Sequence, residues 1–135
     1  MSKPDLWAGR TRTARAIGLL GLARLTVALV PFKRWSHSLG LAFGKKAFAD
    51  AERLASQVEW AAQRSPFPVK CLPRAMALSW LLRAKGISHA VVFGVRPAEL
   101  RKSDDPLHAW VEIDNKILIG DLPGPWLQTL RLGEP

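Results

Sequence analysis

The order of local signals predicts an α+β domain, with helices first and a small antiparallel sheet at the end. Three observations carry this reading. Apolar residues recur at threes and fours through 41–62 and again through 72–82, the period of a helix with one buried face. The first β-branched run of strand type appears only after residue 88. Asp114-Asn115 then separates two short apolar runs, a pair tolerant of the positive φ angles of a tight hairpin turn. A chain of 135 residues, 48% hydrophobic and 23% charged, is the size and composition of one domain with its own core. Within it we expect a basic, apolar helical segment over 1–38 and a core over 39–135.

Residues 1–15 are polar and basic, and residues 16–30 are mostly apolar with Arg24 among them. Val30-Pro31-Phe32-Lys33-Arg34-Trp35 follows in place of a small-residue cleavage site, which argues against a signal peptide. The apolar run is also shorter than the ~20 residues a membrane-spanning helix needs. A helix packed on the domain or on a partner is expected, with contact at an anionic membrane surface as the competing expectation. Pro31 should end it.

A second helix is expected over 39–60, with Leu41, Phe43, Ala47, Phe48, Ala51, Leu54, Ala55, Val58 and Ala62 on its apolar face. Pro66 and Pro68 make 63–68 a loop. From Leu72 to Lys85 a proline in the first turn, a stripe of Ala75, Met76, Ala77, Leu78, Leu81 and Leu82, and Gly86 as the stop define a third helix. Residues 89–95 read as a buried strand, 96–106 as a charged loop, 107–113 and 116–121 as the two arms of a hairpin, and 122–135 as an irregular tail rich in Pro and Gly.

Charge is uneven along the chain. Residues 1–70 hold 12 Lys/Arg against 4 Asp/Glu, while residues 71–135 hold 8 against 7. Such a basic half suits nucleic acid, anionic lipid or an acidic peptide. A lone cysteine rules out an internal disulfide. With no Cys/His cluster at ligand spacing, neither a metal nor a cofactor is expected, and a reducing cytoplasm is the natural compartment.

That cysteine, Cys71, stands just before the third helix. Unsatisfied N–H groups and the positive end of the helix dipole favour a thiolate there, and Lys70 and Arg74 would act in the same sense. Alone this is weak, since free cysteines are commonly small buried hydrophobes. The hairpin supplies a partner. With Asp114 and Asn115 as the loop, Ile113 pairs with Lys116, and counting back sets His108 opposite Asp121, their Cβ atoms roughly 5 Å apart. A one-residue slip in the turn would set His108 against Gly120 instead. Cys71, His108 and Asp121 would thus form nucleophile, base and orienter. Asp114 reads as turn chemistry, and Glu112 lies four residues along the strand, roughly 13 Å from His108. His89 and His37 read as core or surface histidines. The six tryptophans are core by default, with Trp110 placed to shield His108 from water.

Cys71-Leu72-Pro73-Arg74-Ala75-Met76-Ala77-Leu78 with Leu81-Leu82-Arg83 and Gly86, then Val92-Phe93-Gly94-Val95, then Leu107-His108-Ala109-Trp110-Val111-Glu112 resembles the transglutaminase-like B proteins of lasso peptide biosynthesis, in their stand-alone B2 form. The resemblance implies a transglutaminase-like, papain-like cysteine protease fold with Cys71 as nucleophile, His108 as general base and Asp121 as orienter. The implied substrate is a ribosomally made precursor peptide, cut between leader and core. The implied partners are a separate B1 leader-recognition protein and a lasso cyclase, with no nucleic acid. Residues 1–69 read as helices without the alternating strands of a winged-helix recognition domain. The basic half is then a candidate docking surface for that protein or for the leader. Two other functions share the same residues: an acyltransferase working through the same thioester, and a non-catalytic basic binding module. One departure from papain-like enzymes is that 64–70 contains no Gln or Asn to serve as a side-chain oxyanion donor.

Overall fold

A computed structural model describes the backbone at residues 3–45, 47–67, 69–95, 107–114, 116–119 and 126–133, and the side chains over the same ranges apart from 3–12 and 107. Within these ranges α1 (Lys3–Leu29), a short α2 (Phe32–Trp35), α3 (Phe48–Arg64) and α4 (Cys71–Ala84) precede β1 (Ala90–Val95), β2 (Leu107–Ile113), β3 (Lys116–Ile119) and β4 (Leu127–Gly133). The expected α+β order is therefore the observed one. The strands form one antiparallel sheet in the order β3-β2-β1-β4.

The first helix begins at Lys3 and extends well before the apolar run, with Pro4 in its first turn, where a missing N–H costs no intrahelical bond. Ala16, Leu20 and Ala23, at spacings of four and three, are buried where α1 packs on α3 and α4. Among the described residues no helix is long and apolar enough to cross a membrane.

The second helix starts nine residues later than the periodicity of 39–60 suggests. Gly40 turns the chain at φ +77°, a conformation that interrupts a helix. Residues 41–45 then run alongside 86–89 instead. Leu41 and His89 exchange two backbone hydrogen bonds of 3.0 Å, the N–H of Lys45 donates to Gly86 O (2.9 Å), and the N–H of Ser88 donates to Lys45 O (3.0 Å). The Arg83 guanidinium donates to the carbonyls of His37 and Gly40, both at 3.1 Å. These long-range bonds override local propensity, and Phe43, expected on the buried face, is 94% exposed. From Ala51 onward the expected face is the buried one: Ala51, Leu54, Ala55, Val58 and Ala62.

The third expected helix is α4, ending before Gly86 at φ +67°. Its Ala75, Met76, Ala77, Leu78, Ser79 and Leu82 are buried. Successive strand residues point to opposite faces, so Val91 and Phe93 of β1 and Ala109, Val111 and Ile113 of β2 join the helical core, while Ala90, Val92 and Trp110 form a smaller cluster on the other face with Trp126 packed on it. The tail also departs from expectation. Residues 127–133 are a strand, pairing antiparallel with β1 from Val95↔Leu127 to Ala90↔Gly133. Leu127, Thr129 and Arg131 alternate with Gln128, Leu130 and Leu132 without a clean apolar face, so the strand is held by its partner rather than by pattern.

Candidate functional site

Cys71 is the first residue of α4 and half-buried. Lys70, immediately before it, takes an extended backbone (φ −83°, ψ 179°), which turns the chain out of the helix direction and leaves the first turn facing a pocket. Arg74, expected beside the thiol, points elsewhere. Its Nη1 donates to Glu59 Oε2 of α3 at 2.9 Å and its Nε to Val69 O at 3.1 Å. A guanidinium committed to a carboxylate and a carbonyl clamps the start of α4 onto α3. Of the two cations the sequence offered, only Lys70 lines the pocket.

That pocket has a volume of about 400 Å³. Lys70, Cys71, Leu72 and Pro73 form one wall, and Phe93 of β1 with His108 and Ala109 of β2 form another. The expected nucleophile and the expected base therefore line one cavity, although 37 positions separate them in the chain. The third wall is Arg24, Val27 and Ala28 of α1, a segment that the sequence offered as a docking surface for a partner or the leader without singling out these residues. The mostly apolar pattern of this helix hides the role, because it does not say which side meets which neighbour.

His108 is buried and lies in β2 opposite Gly94 of β1. Its imidazole is stacked on the Trp126 indole, with centroids 4.9 Å apart and planes at 26°, and Trp110 is tilted against it at 5.7 Å and 31°. Trp110 does stand beside His108, as its position two residues along the strand suggests. Trp126, just before β4, was not singled out from the sequence, where no strand pattern follows it to place it.

The hairpin register agrees with expectation at the turn and departs from it further back. Ile113 pairs with Lys116 and Glu112 with Ile117, and Asp114 sits in the turn at φ +48°. Between Val111 and Glu112 the register then shifts by one, so that Val111 pairs with Ile119. A bulge of this kind adds an unpaired residue to one strand, so a constant count does not extend from the turn to His108. Gly120 and Asp121 lie outside the described residues, as does Asn115.

Glu112, set aside as orienter, is occupied elsewhere. It accepts from Trp110 Nε1–H at 3.0 Å and from Arg131 of β4 at 2.6 Å, with side-chain exposures of 14% for Glu112 and 17% for Arg131. The pair spans β1 above the small Ala90 and Val92 and ties β2 to β4. His89 is fully buried. Its Nδ1 is 2.9 Å from Ile87 O, which can only accept, so Nδ1 carries the proton and Nε2 accepts from the Ser79 hydroxyl at 2.7 Å. Ser79 Oγ in turn accepts the Gly40 N–H at 2.8 Å. This chain joins α4, the start of β1 and the 39–45 segment, and it is structural. His37 is exposed beyond α2.

Neither curated proteins nor solved structures give a match to this chain. The family comparison does, over residues 16–129, a span that takes in the last four turns of α1, α4 with Cys71, β2 with His108, and Trp126. With helices leading into a small antiparallel sheet and that match covering most of its length, the chain belongs to the transglutaminase-like superfamily, whose members are typically cysteine-dependent enzymes.

Proposed function

We propose that this protein is a cysteine peptidase that removes the leader from a lasso peptide precursor, with Cys71 as nucleophile, His108 as general base and Asp121 as orienter. The observation that supports it most is the shared pocket, in which a cysteine on the first turn of a helix and a strand histidine line one cavity. The precursor substrate rests on the resemblance of the Cys71–Leu78 and Leu107–Glu112 strings to the lasso B proteins.

In this mechanism His108 takes the Cys71 thiol proton as Sγ attacks the scissile carbonyl, and the Cys71 N–H donates to the resulting oxyanion. Collapse breaks the C–N bond, and the proton on His108 passes to the leaving amine, which is the new N-terminus of the core peptide. Water activated by His108 then attacks the thioester, releasing the leader as a carboxylic acid and restoring the thiol. A separate cyclase would use the freed amine to close a ring.

A separate leader-recognition protein is the partner in this reading, and we assign its docking site to the outer side of α1. Leu22, Leu25 and Leu29, at spacings of three and four, are 53%, 58% and 77% exposed, opposite the buried Ala16, Leu20 and Ala23. No Asp or Glu occurs from residue 6 to residue 49, while eight Lys/Arg do. An apolar stripe in a cationic surround fits a partner face with an apolar centre and an acidic rim.

The test is to incubate the protein with a leader-recognition protein and a precursor peptide and to follow mass. Cleavage at one bond, absent in Cys71→Ala and in His108→Ala, is expected. A mass gain from an added amine in place of hydrolysis would make the chain an acyltransferase. Unchanged biological activity in Cys71→Ala would make it a binding module. Binding of the partner should fall in Leu25→Asp. Partner binding that survives this change, with loss of binding to anionic vesicles instead, would move the stripe to a membrane surface.

A further inference from the structure

The stacking at His108 is built from three strands, and the function proposed above does not use it. His108 and Trp110 come from β2, Trp126 from the position just before β4, and β1 runs between β2 and β4. Gly94 of β1 faces His108 on one side and Gln128 on the other, and the β1/β4 register shifts between Phe93 and Gly94. A Cβ at Gly94 would meet the Trp110 ring at 2.7 and 2.9 Å and Leu127 O at 3.1 Å, so only glycine lets the Trp110 ring lie across β1 toward Trp126. The two indoles are 6.5 Å apart, and the imidazole stacks on one and tilts against the other.

We propose that Trp126 is a positioning residue for His108: its indole, lying against one face of the imidazole, holds the ring plane in the orientation from which it exchanges a proton with Cys71. Stacked and tilted aromatic pairs have restricted geometries, and an indole face also favours a cationic ring over a neutral one. The stack fixes the ring through its face, whereas a carboxylate orients an imidazole through an N–H at its edge. This inference rests on the reading of Cys71 and His108 as a working pair.

A substrate-independent probe separates the two ideas. Alkylation by iodoacetamide forms an S–CH2 bond at the Cys71 thiolate and expels iodide, so its rate at neutral pH reports how well His108 supports the thiolate. His108→Ala is expected to slow it by about a hundredfold. Trp126→Leu is expected to slow it by about 5- to 20-fold, with Trp126→Phe restoring the rate to within about twofold. In the peptide assay Trp126→Leu should lower kcat and leave KM unchanged, which a general loosening of the fold would not do selectively. The wild-type protein supplies its own check, since a stacked indole moves the ring-proton resonances of His108 upfield. Ring protons at ordinary shifts overturn the proposal, as does wild-type alkylation in Trp126→Leu beside slow alkylation in His108→Ala. Wild-type alkylation in His108→Ala would overturn the Cys71–His108 pairing and this inference with it.

Discussion

The two faces of β2 are built on different principles. Ala109, Val111 and Ile113 meet the helices as part of a large aliphatic core, whereas His108, Trp110 and Glu112 face a small cluster in which named partners hold each group: Trp126 on His108, Trp110 Nε1–H and Arg131 on Glu112. The first face is held by burial, which is nearly independent of direction. The second is held by direction, through one stack and two charge-assisted or neutral hydrogen bonds. Stability should therefore concentrate on one side of the strand and geometry on the other.

Substitutions on each face sharpen or break that division. The largest effect expected is on turnover: His108→Ala should lower kcat by at least ~1,000-fold with the melting temperature close to wild type. A retained kcat would remove the division at its most important residue. On the opposite face Ile113→Ala should cost about 3 kcal/mol, near 12 °C of melting temperature at roughly 4 °C per kcal/mol, with kcat preserved in the folded fraction. A thermal scan paired with an assay at low temperature checks both. Glu112→Gln keeps the shape and removes the charge facing Arg131. It should cost about 1.5–3 kcal/mol by chemical denaturation, and a smaller loss would mean that the β2–β4 tie is held by packing. Ser79→Ala leaves His89 Nε2 without its donor and should cost about 1–3 kcal/mol. Leu25→Gln, on the exposed stripe of α1, should change the stability of the isolated protein by no more than about 0.5 kcal/mol; a larger loss would show that this stripe already packs within the chain.

The register shift alters how the orienter should be tested. Asp121→Asn is expected to depress kcat, and Asp114→Asn is not, because Asp114 is exposed in the turn at φ +48°. If Asp114→Asn is the damaging change and Asp121→Asn is not, the assignment of Asp121 fails.

Much of the candidate site was legible because Cys71 and His108, the two residues proposed to carry its chemistry, sit on strong local signals. Cys71 precedes a proline and a run of helix formers that closes at a glycine, so a helix start there needs no partner to be recognised. His108 lies in an alternating run bounded by a tight turn, so the strand and the side on which Trp110 accompanies it follow from period two alone. The helix over 51–62 and the stripe of α4 were readable for the same reason.

What local pattern left open was decided by contacts between distant segments. Residues 39–47 have helical periodicity, but backbone bonds to 86–89 and the Arg83 clamp are worth more to them than about two and a half further turns of helix. Residues 127–133 have no pattern of their own and become a strand because β1 presents an open edge. The bulge at Val111 breaks a count that assumes perfect pairing. Arg74 turns to Glu59, α1 closes the pocket, and Trp126 comes to rest on His108. Local sequence sets the period, turn and cap of each segment, since these depend on a few neighbouring residues. Which segment lies against which face is a choice among long-range burials and hydrogen bonds of similar size, and it is made only in the assembled fold.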